Sequence, residues 1–209
     1  MKLPRKDKYG MPYVSYSQIS TFRRSEEDYY DQYILGTPFV GNAYTDFGSK
    51  VGEALEGCDY SKFNDGEKEI LKSVTRLDIF ERKTILNYDG FYVLGFIDTC
   101  SNDFSKLIDY KTGGKGKSGK YRKDDYDQLH LYALSIRQET GVTPKEALVQ
   151  FITRGGKIDD PDGFFVSNES VKSIEIDISI GRLKEVYWDT METVKSMSEF
   201  YKKHGTDIS

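Results

Sequence analysis

Apolar positions recur along the chain with two different periods, and the changes of period mark out the elements. From Ser15-Tyr16-Ser17, where a serine can cap a helix, Ile19, Phe22, Tyr29, Tyr30 and Tyr33 return at roughly helical spacing until Gly36-Thr37-Pro38 stops them. The same spacing predicts helices over about residues 45–56 and 66–81, the second through Ile70, Leu71, Val74 and Leu77. The pattern then shortens. Strands are expected over 84–88, 91–99 and 105–111, divided by turn signals at Asp89-Gly90 and Ser101-Asn102-Asp103, which makes an antiparallel meander. Residues 113–123 read GGKGKSGKYRK, too rich in Gly and Lys to fold alone. A helix over about 125–140, strands over 147–153 and 173–178, and a long helix over about 180–204 complete the series. With no internal repeat and no Pro- or Ser-rich linker, the chain reads as one domain, residues 1–209, with N-terminal helices over about 15–81. The order of elements predicts an α/β or α+β sheet core rather than a doubly wound parallel fold.

Composition narrows this picture. The 209 residues carry 30 Lys and Arg against 34 Asp and Glu, a net charge of −4, so no bulk positive field draws the protein onto nucleic acid and any such role needs a local basic stretch. Aromatics reach 14%, enough to build a core and to exclude disorder throughout. Two cysteines, Cys58 and Cys100, form no CxxC pair, which excludes a disulfide framework or a zinc ribbon; both are expected to be ordinary buried thiols. The basic N-terminus lacks the apolar core of a signal peptide and no apolar run is long enough for a membrane span, so a soluble, cytoplasmic protein with no membrane partner is expected.

The most informative stretch is Gly95-Phe96-Ile97-Asp98 followed by Leu107-Ile108-Asp109-Tyr110-Lys111-Thr112-Gly113. Alternation along a strand turns Leu107, Asp109 and Lys111 one way and Ile108 and Tyr110 the other. If Asn102-Asp103 closes a two-residue hairpin, Asp98 lies opposite Leu107 and diagonal to Asp109, at roughly 7–8 Å between backbones. Two carboxylates so placed can converge on one hard cation, with Lys111 beside it. The plainer alternative is a pair of edge-strand carboxylates with a solvated lysine. Both aspartates interrupt apolar strands, however, where burial without a partner costs several kcal/mol. Gln128 and Tyr132 stand one helical turn apart and can reach one surface, although tyrosine at helical spacing is commonly core. Lys115, Lys117, Lys120, Arg122 and Lys123 place five cations within nine residues directly after this strand, as a solvated loop or as a clamp on a polyanion backbone.

These blocks together resemble the PD-(D/E)xK nuclease superfamily, in its RecB-like exonuclease branch that also contains Cas4. Ser15 to Phe22 with Tyr30 and Tyr33 resembles the opening "SxSxlxxF…Y…Y" helix, and Gly48 to Glu56 the "GxxxHxxLE" helix. Asp98 and Asp109-Tyr110-Lys111, followed by Thr112-Gly113, resemble the metal-binding aspartate and the (D/E)xK element, and Gln128 to Tyr132 the "QxxxY" block. The likeness spans about residues 15–155. It implies a restriction-endonuclease-like core, a mixed central sheet with an antiparallel meander flanked by helices. It further implies Mg²⁺ or Mn²⁺ as cofactor, Asp98, Asp109, Lys111, Gln128 and Tyr132 as catalytic residues, and DNA ends as substrate, with a helicase, recombinase or single-strand-binding protein as candidate partners.

One position departs from the pattern. Gly52 stands where the family has a metal-binding histidine, and His130 and His204 lie outside that block. Glu56, four residues on and on roughly the same helical face, is the expected substitute ligand, ahead of Glu53, which is about 100° away around the helix. Two distant cysteines cannot build the four-cysteine iron–sulfur cluster of Cas4 relatives, so none is expected. The function expected is a metal-dependent exonuclease of recombination, repair or phage DNA metabolism. A restriction-like or structure-specific endonuclease, and a catalytically weakened DNA- or partner-binding module, are the alternatives.

Overall fold

The computed structural model describes residues 1–122, 126–160 and 163–205. Strand β1 (Tyr13–Ser15) leads straight into helix α1 (Tyr16–Arg24) through a capping box: Ser15 Oγ accepts from the Gln18 N–H while Gln18 Oε1 accepts from the Ser15 N–H at 2.8 Å. The single helix expected to reach Gly36 is broken. Ser25 takes an extended backbone and caps a fresh start, α2 (Glu26–Tyr29), whose first turn carries Glu26, Glu27 and Asp28; this relaxes into a π-helical turn over Tyr30–Ile34.

Helix α3 (Ala43–Gly57) is capped by Asn42 and buries Phe47, Val51, Ala54 and Leu55. Cys58, expected to be buried, is exposed and ends α3 in the left-handed region at φ 52°; Cys100 is buried. Helix α4 is shorter than its periodicity predicts, covering only Asp65–Lys72. Val74 is buried in the following loop, the Thr75 N–H donates to Gln150 Oε1 at 2.8 Å, and residues 79–81 already belong to a strand. Apolar spacing continued past Lys72 because the loop packs on the same core, which periodicity cannot tell from helix.

The sheet has seven strands among the described residues. β2 (Ile79–Tyr88) pairs antiparallel with β3 (Phe91–Cys100) from end to end except at one step, Glu81 opposite Asp98. The other edge of β3 is shared, with β1 parallel at its start and β4 (Lys106–Gly114) antiparallel at its end. β4 then runs parallel to β5 (Glu146–Gly155), which also carries β6 (Phe165–Val166) and β7 (Lys172–Glu175). Helix α5 (Gln128–Thr140) is the crossover between β4 and β5 and closes the core of Ile97, Leu107, Val149 and Phe151, while α3 and α4 pack with Tyr110 and Ile152. Helices therefore cover the sheet on both sides. The last helix, α6 (Ile180–His204), matches its expected span and packs with α1 around Phe22, Val186, Val194 and Met197. None of the described helices is long and apolar enough to cross a membrane.

Candidate active site

The meander is incomplete where it matters. β3 and β4 pair only at Thr99 with Ile108 and Cys100 with Leu107. The turn is longer than the two residues expected, because the Asp103 carboxylate collects the hydroxyls of Ser101 and Ser105 and the Ser105 N–H, hydrogen bonds that lower its pKa to about 2. The register is thereby displaced by two residues: its next step would set Asp98 against Asp109 rather than Leu107. That step is not paired. The strands fork, β4 continues beside β5 alone, and Asp98 Oδ2 accepts the Tyr110 N–H at 2.7 Å in place of a backbone carbonyl.

Beyond the fork, Asp109 is fully buried and Lys111, 27% exposed, binds it through Nζ at 2.7 and 2.8 Å from its two oxygens. Tyr126 Oη donates to Asp109 Oδ2 at 2.8 Å. The Gln128 amide bridges Tyr126 Oη at 3.0 Å and Tyr132 Oη at 2.7 Å, so the two residues expected to share a helical face form one chain that ends on the Asp109 carboxylate. Burial, then the Asp109 charge, pushes the Tyr126 phenol far above its usual range and keeps it a donor. Burial raises Tyr132 to about 12. Gly95 has its own reason here: a Cβ would collide with the Tyr132 ring, so only glycine lets that ring lie against β3.

On the α3 side lies a cavity of about 340 Å³ whose lining includes Asp98, Lys111, Gly52, Glu56 and Glu81. Glu56 faces it as expected, whereas Glu53 pairs with Lys62 at 3.8 Å. Glu81 sits on β2 in the left-handed region at φ 46°, and pairing of β2 with β3 skips the step that would join it to Asp98. Burial, with the Asp109 carboxylate adding to it, pushes Asp98 up to about 7. Burial and then Glu56 raise Glu81 as well. Burial works against the Lys111 ammonium, but Asp109 and Asp98 outweigh it and hold its pKa above the lysine range.

Among the described residues no three His, Cys, Asp or Glu side chains converge into a closed metal cage. The donors present are hard oxygens, grouped about a cavity that is open on one side, with Lys111 beside them. Such a set fits Mg²⁺ or Mn²⁺, which keep several waters, and does not fit a soft metal.

The basic segment divides. β4 runs on through Gly114 and a 3₁₀ turn covers Lys117–Arg122, fastened by buried Tyr121 against Tyr126 and Phe151. Lys120 lines a second cleft, of about 550 Å³, that meets Lys111 from the α1 side. Lys115 turns away to Glu169 at 2.9 Å and Lys117 is exposed. Arg122 belongs to the turn by its backbone, and Lys123 lies outside the described residues.

No protein-family model and no curated protein matches the sequence. Solved structures do match the fold. A "Putative exonuclease" from Eubacterium rectale superposes with a TM-score of 0.65 at 14% identity, over 98% of this chain and 88% of that one. The chain has a PD-(D/E)xK nuclease-like fold. A phage related exonuclease from Haemophilus somnus 129PT (TM-score 0.48, 15% identity, 91% and 83% covered) and LHK-Exo, solved with dAMP (0.47, 15%, 94% and 94%), are looser matches. Within this nuclease-like fold the four sequence blocks surround one point: α1 through Tyr16 and Ser17, α3 through Gly48 and Gly52, the forked strands, and α5 through Gln128 all line the two cavities that meet at Lys111.

Sequence reasoning missed Tyr126 and Glu81. Tyr126 precedes the periodic part of its helix, and its place two residues before Gln128 was the only signal. Apolar periodicity places Glu81 at the end of a helix, so no strand pairing points to it.

Proposed function

We propose that the chain is a divalent-metal-dependent DNA nuclease that hydrolyses phosphodiester bonds, an exonuclease working from DNA ends in recombination, repair or phage DNA metabolism. The observation that supports this most is the meeting of Asp98, Asp109 and Lys111 at the fork of β3 and β4, with Asp109 held from behind by Tyr126. Asp98 and Asp109 would hold Mg²⁺ or Mn²⁺, with Glu56 or Glu81 offering a further oxygen from the cavity wall. A cation held there supplies Lewis acidity toward a phosphoryl oxygen and makes water more acidic. Lys111 borders both cavities, so on releasing one Asp109 oxygen its ammonium orients the attacking water or offsets charge growing on phosphorus. Tyr126 and Gln128 keep the Asp109 carboxylate in one orientation while this happens.

The test is end-labelled linear DNA, single- and double-stranded, beside circular DNA, in Mg²⁺, Mn²⁺ or EDTA. Linear DNA should shorten from its ends only with metal, and circles should survive. Cut circles would favour the endonuclease of the same fold. A second reading, a DNA- or partner-binding module with weakened catalysis, is favoured by Gly52 and by an Asp109 whose two oxygens already have partners. It predicts DNA bound but uncut in either metal. Delivery of ends by a helicase, recombinase or single-strand-binding protein belongs to the same proposal.

A further inference from the structure

The cleft beside Lys111 does not stop at α1. Ser17, Thr21 and Arg24 line it, and the same three residues line a neighbouring cleft of about 620 Å³ that continues to Arg5, Tyr33 and Phe39. Ser17, Thr21 and Arg24 are spaced four and three apart, so they form one stripe of α1 along which the two clefts join. The charge of this trough is the reverse of the protein's. Among the described residues no carboxylate lines either cleft, while Lys111, Lys120, Arg24 and Arg5 do. Arg24 has an exposed partner in Asp28 at 3.2 Å. At the far end the Arg5 guanidinium lies over the Tyr33 ring at 5.3 Å. Phe39 is 67% exposed, and among the described residues no aromatic ring packs on it.

We propose that this trough is the path of a single polynucleotide strand, with phosphates along Lys120, Arg24 and Arg5, sugar and base edges on the hydroxyls of Ser17, Ser20 and Thr21, and an unpaired base stacked on Phe39. A cationic groove with an aromatic platform is what single strands bind; a duplex keeps its base faces stacked inside and cannot use the ring. The proposal rests on the nuclease reading for the purpose of the strand, but not for its binding.

The experiment measures fluorescence anisotropy of a labelled single-stranded oligonucleotide and of a blunt duplex, both in EDTA, so that binding is read without cleavage. Phe39→Ala should weaken single-strand binding about tenfold, leave the duplex unchanged, and be rescued by Phe39→Trp. Arg24→Gln should flatten the plot of log affinity against log salt for the single strand by about 0.7. Unchanged single-strand binding in Phe39→Ala, or equal loss on both DNAs, overturns the proposal and leaves the ring to the fold or to a protein partner. A chain that binds the strand through Phe39 but cuts nothing in Mg²⁺ overturns the nuclease reading alone. A chain that cuts while remaining indifferent to Phe39 overturns only the trough.

Discussion

On the α3 side of Lys111 the wall carries Glu56, Glu81 and Asp98, whereas on the α1 side it carries Arg24, Lys120 and the hydroxyls of Ser17 and Ser20. Both cavities are polar and they differ in sign, and one ammonium stands between them. The difference teaches where each reactant belongs. On the proposed reading a cation would be drawn to the acidic wall and a phosphate to the basic one, so the scissile bond would be brought to the border at Lys111. A net charge of −4 conceals this arrangement because the two walls cancel in the sum.

The strongest way to break the comparison is to remove the border. Asp98→Ala, Asp109→Ala and Lys111→Ala should each lower cleavage by about a thousandfold or more with the fold retained by circular dichroism. A variant near wild-type rate in Mg²⁺ would end the assignment.

Next in size is the acidic wall itself. Glu56→Gln and Glu81→Gln should each raise the Mg²⁺ concentration for half-maximal cleavage by about tenfold, and Glu53→Gln should not, since Glu53 turns to Lys62. Equal, negligible shifts in all three would show that the cation is held by the aspartates alone. A Cβ at Gly52 meets nothing within 4 Å, so Gly52→His has room and should lower the same concentration.

Asp98 provides a smaller effect through pH. Its carboxyl titrates near 7 in the folded chain against about 4 unfolded, so between those values the folded state holds more protons and stability falls as pH rises. In EDTA the wild type should lose about 1–2 kcal/mol from pH 4 to 7 that Asp98→Asn keeps, after allowing for charge shared with Asp109. Urea midpoints at the two pH values decide it, and parallel losses would refute the shift.

The smallest effect sharpens the basic wall. Lys120→Gln should flatten the salt dependence of DNA binding by about 0.7–0.9, while Lys115→Gln should change it little because Lys115 is engaged by Glu169. Equal slopes for the two variants would mean that the loop is merely solvated.

Much of this is legible in the sequence. Period and turn signals gave α3, β3, β4 and the whole of α6, because in each the apolar spacing and the end signals agree. Alternation paired Asp109 with Lys111, and helical spacing paired Gln128 with Tyr132, since both are consequences of local geometry. What failed turned on competing partners, distant in the chain for the fork and for α4 and local for the cap. The fork after Thr99 depends on β5 claiming β4, the early end of α4 depends on Gln150 taking the Thr75 N–H, and the break at Ser25 depends on a cap competing with a continuing helix. The basic segment reads from sequence as one unit, a solvated loop or a clamp, yet Glu169, more than forty residues away, claims one of its lysines.

The fork has a further consequence for hydrogen exchange. The Tyr110 amide is protected by a titratable side chain rather than by a neighbouring strand, so its exchange with solvent is tied to the charge on Asp98. One backbone proton in the middle of the sheet thus becomes a spectroscopic witness of what the carboxylate beside it is holding.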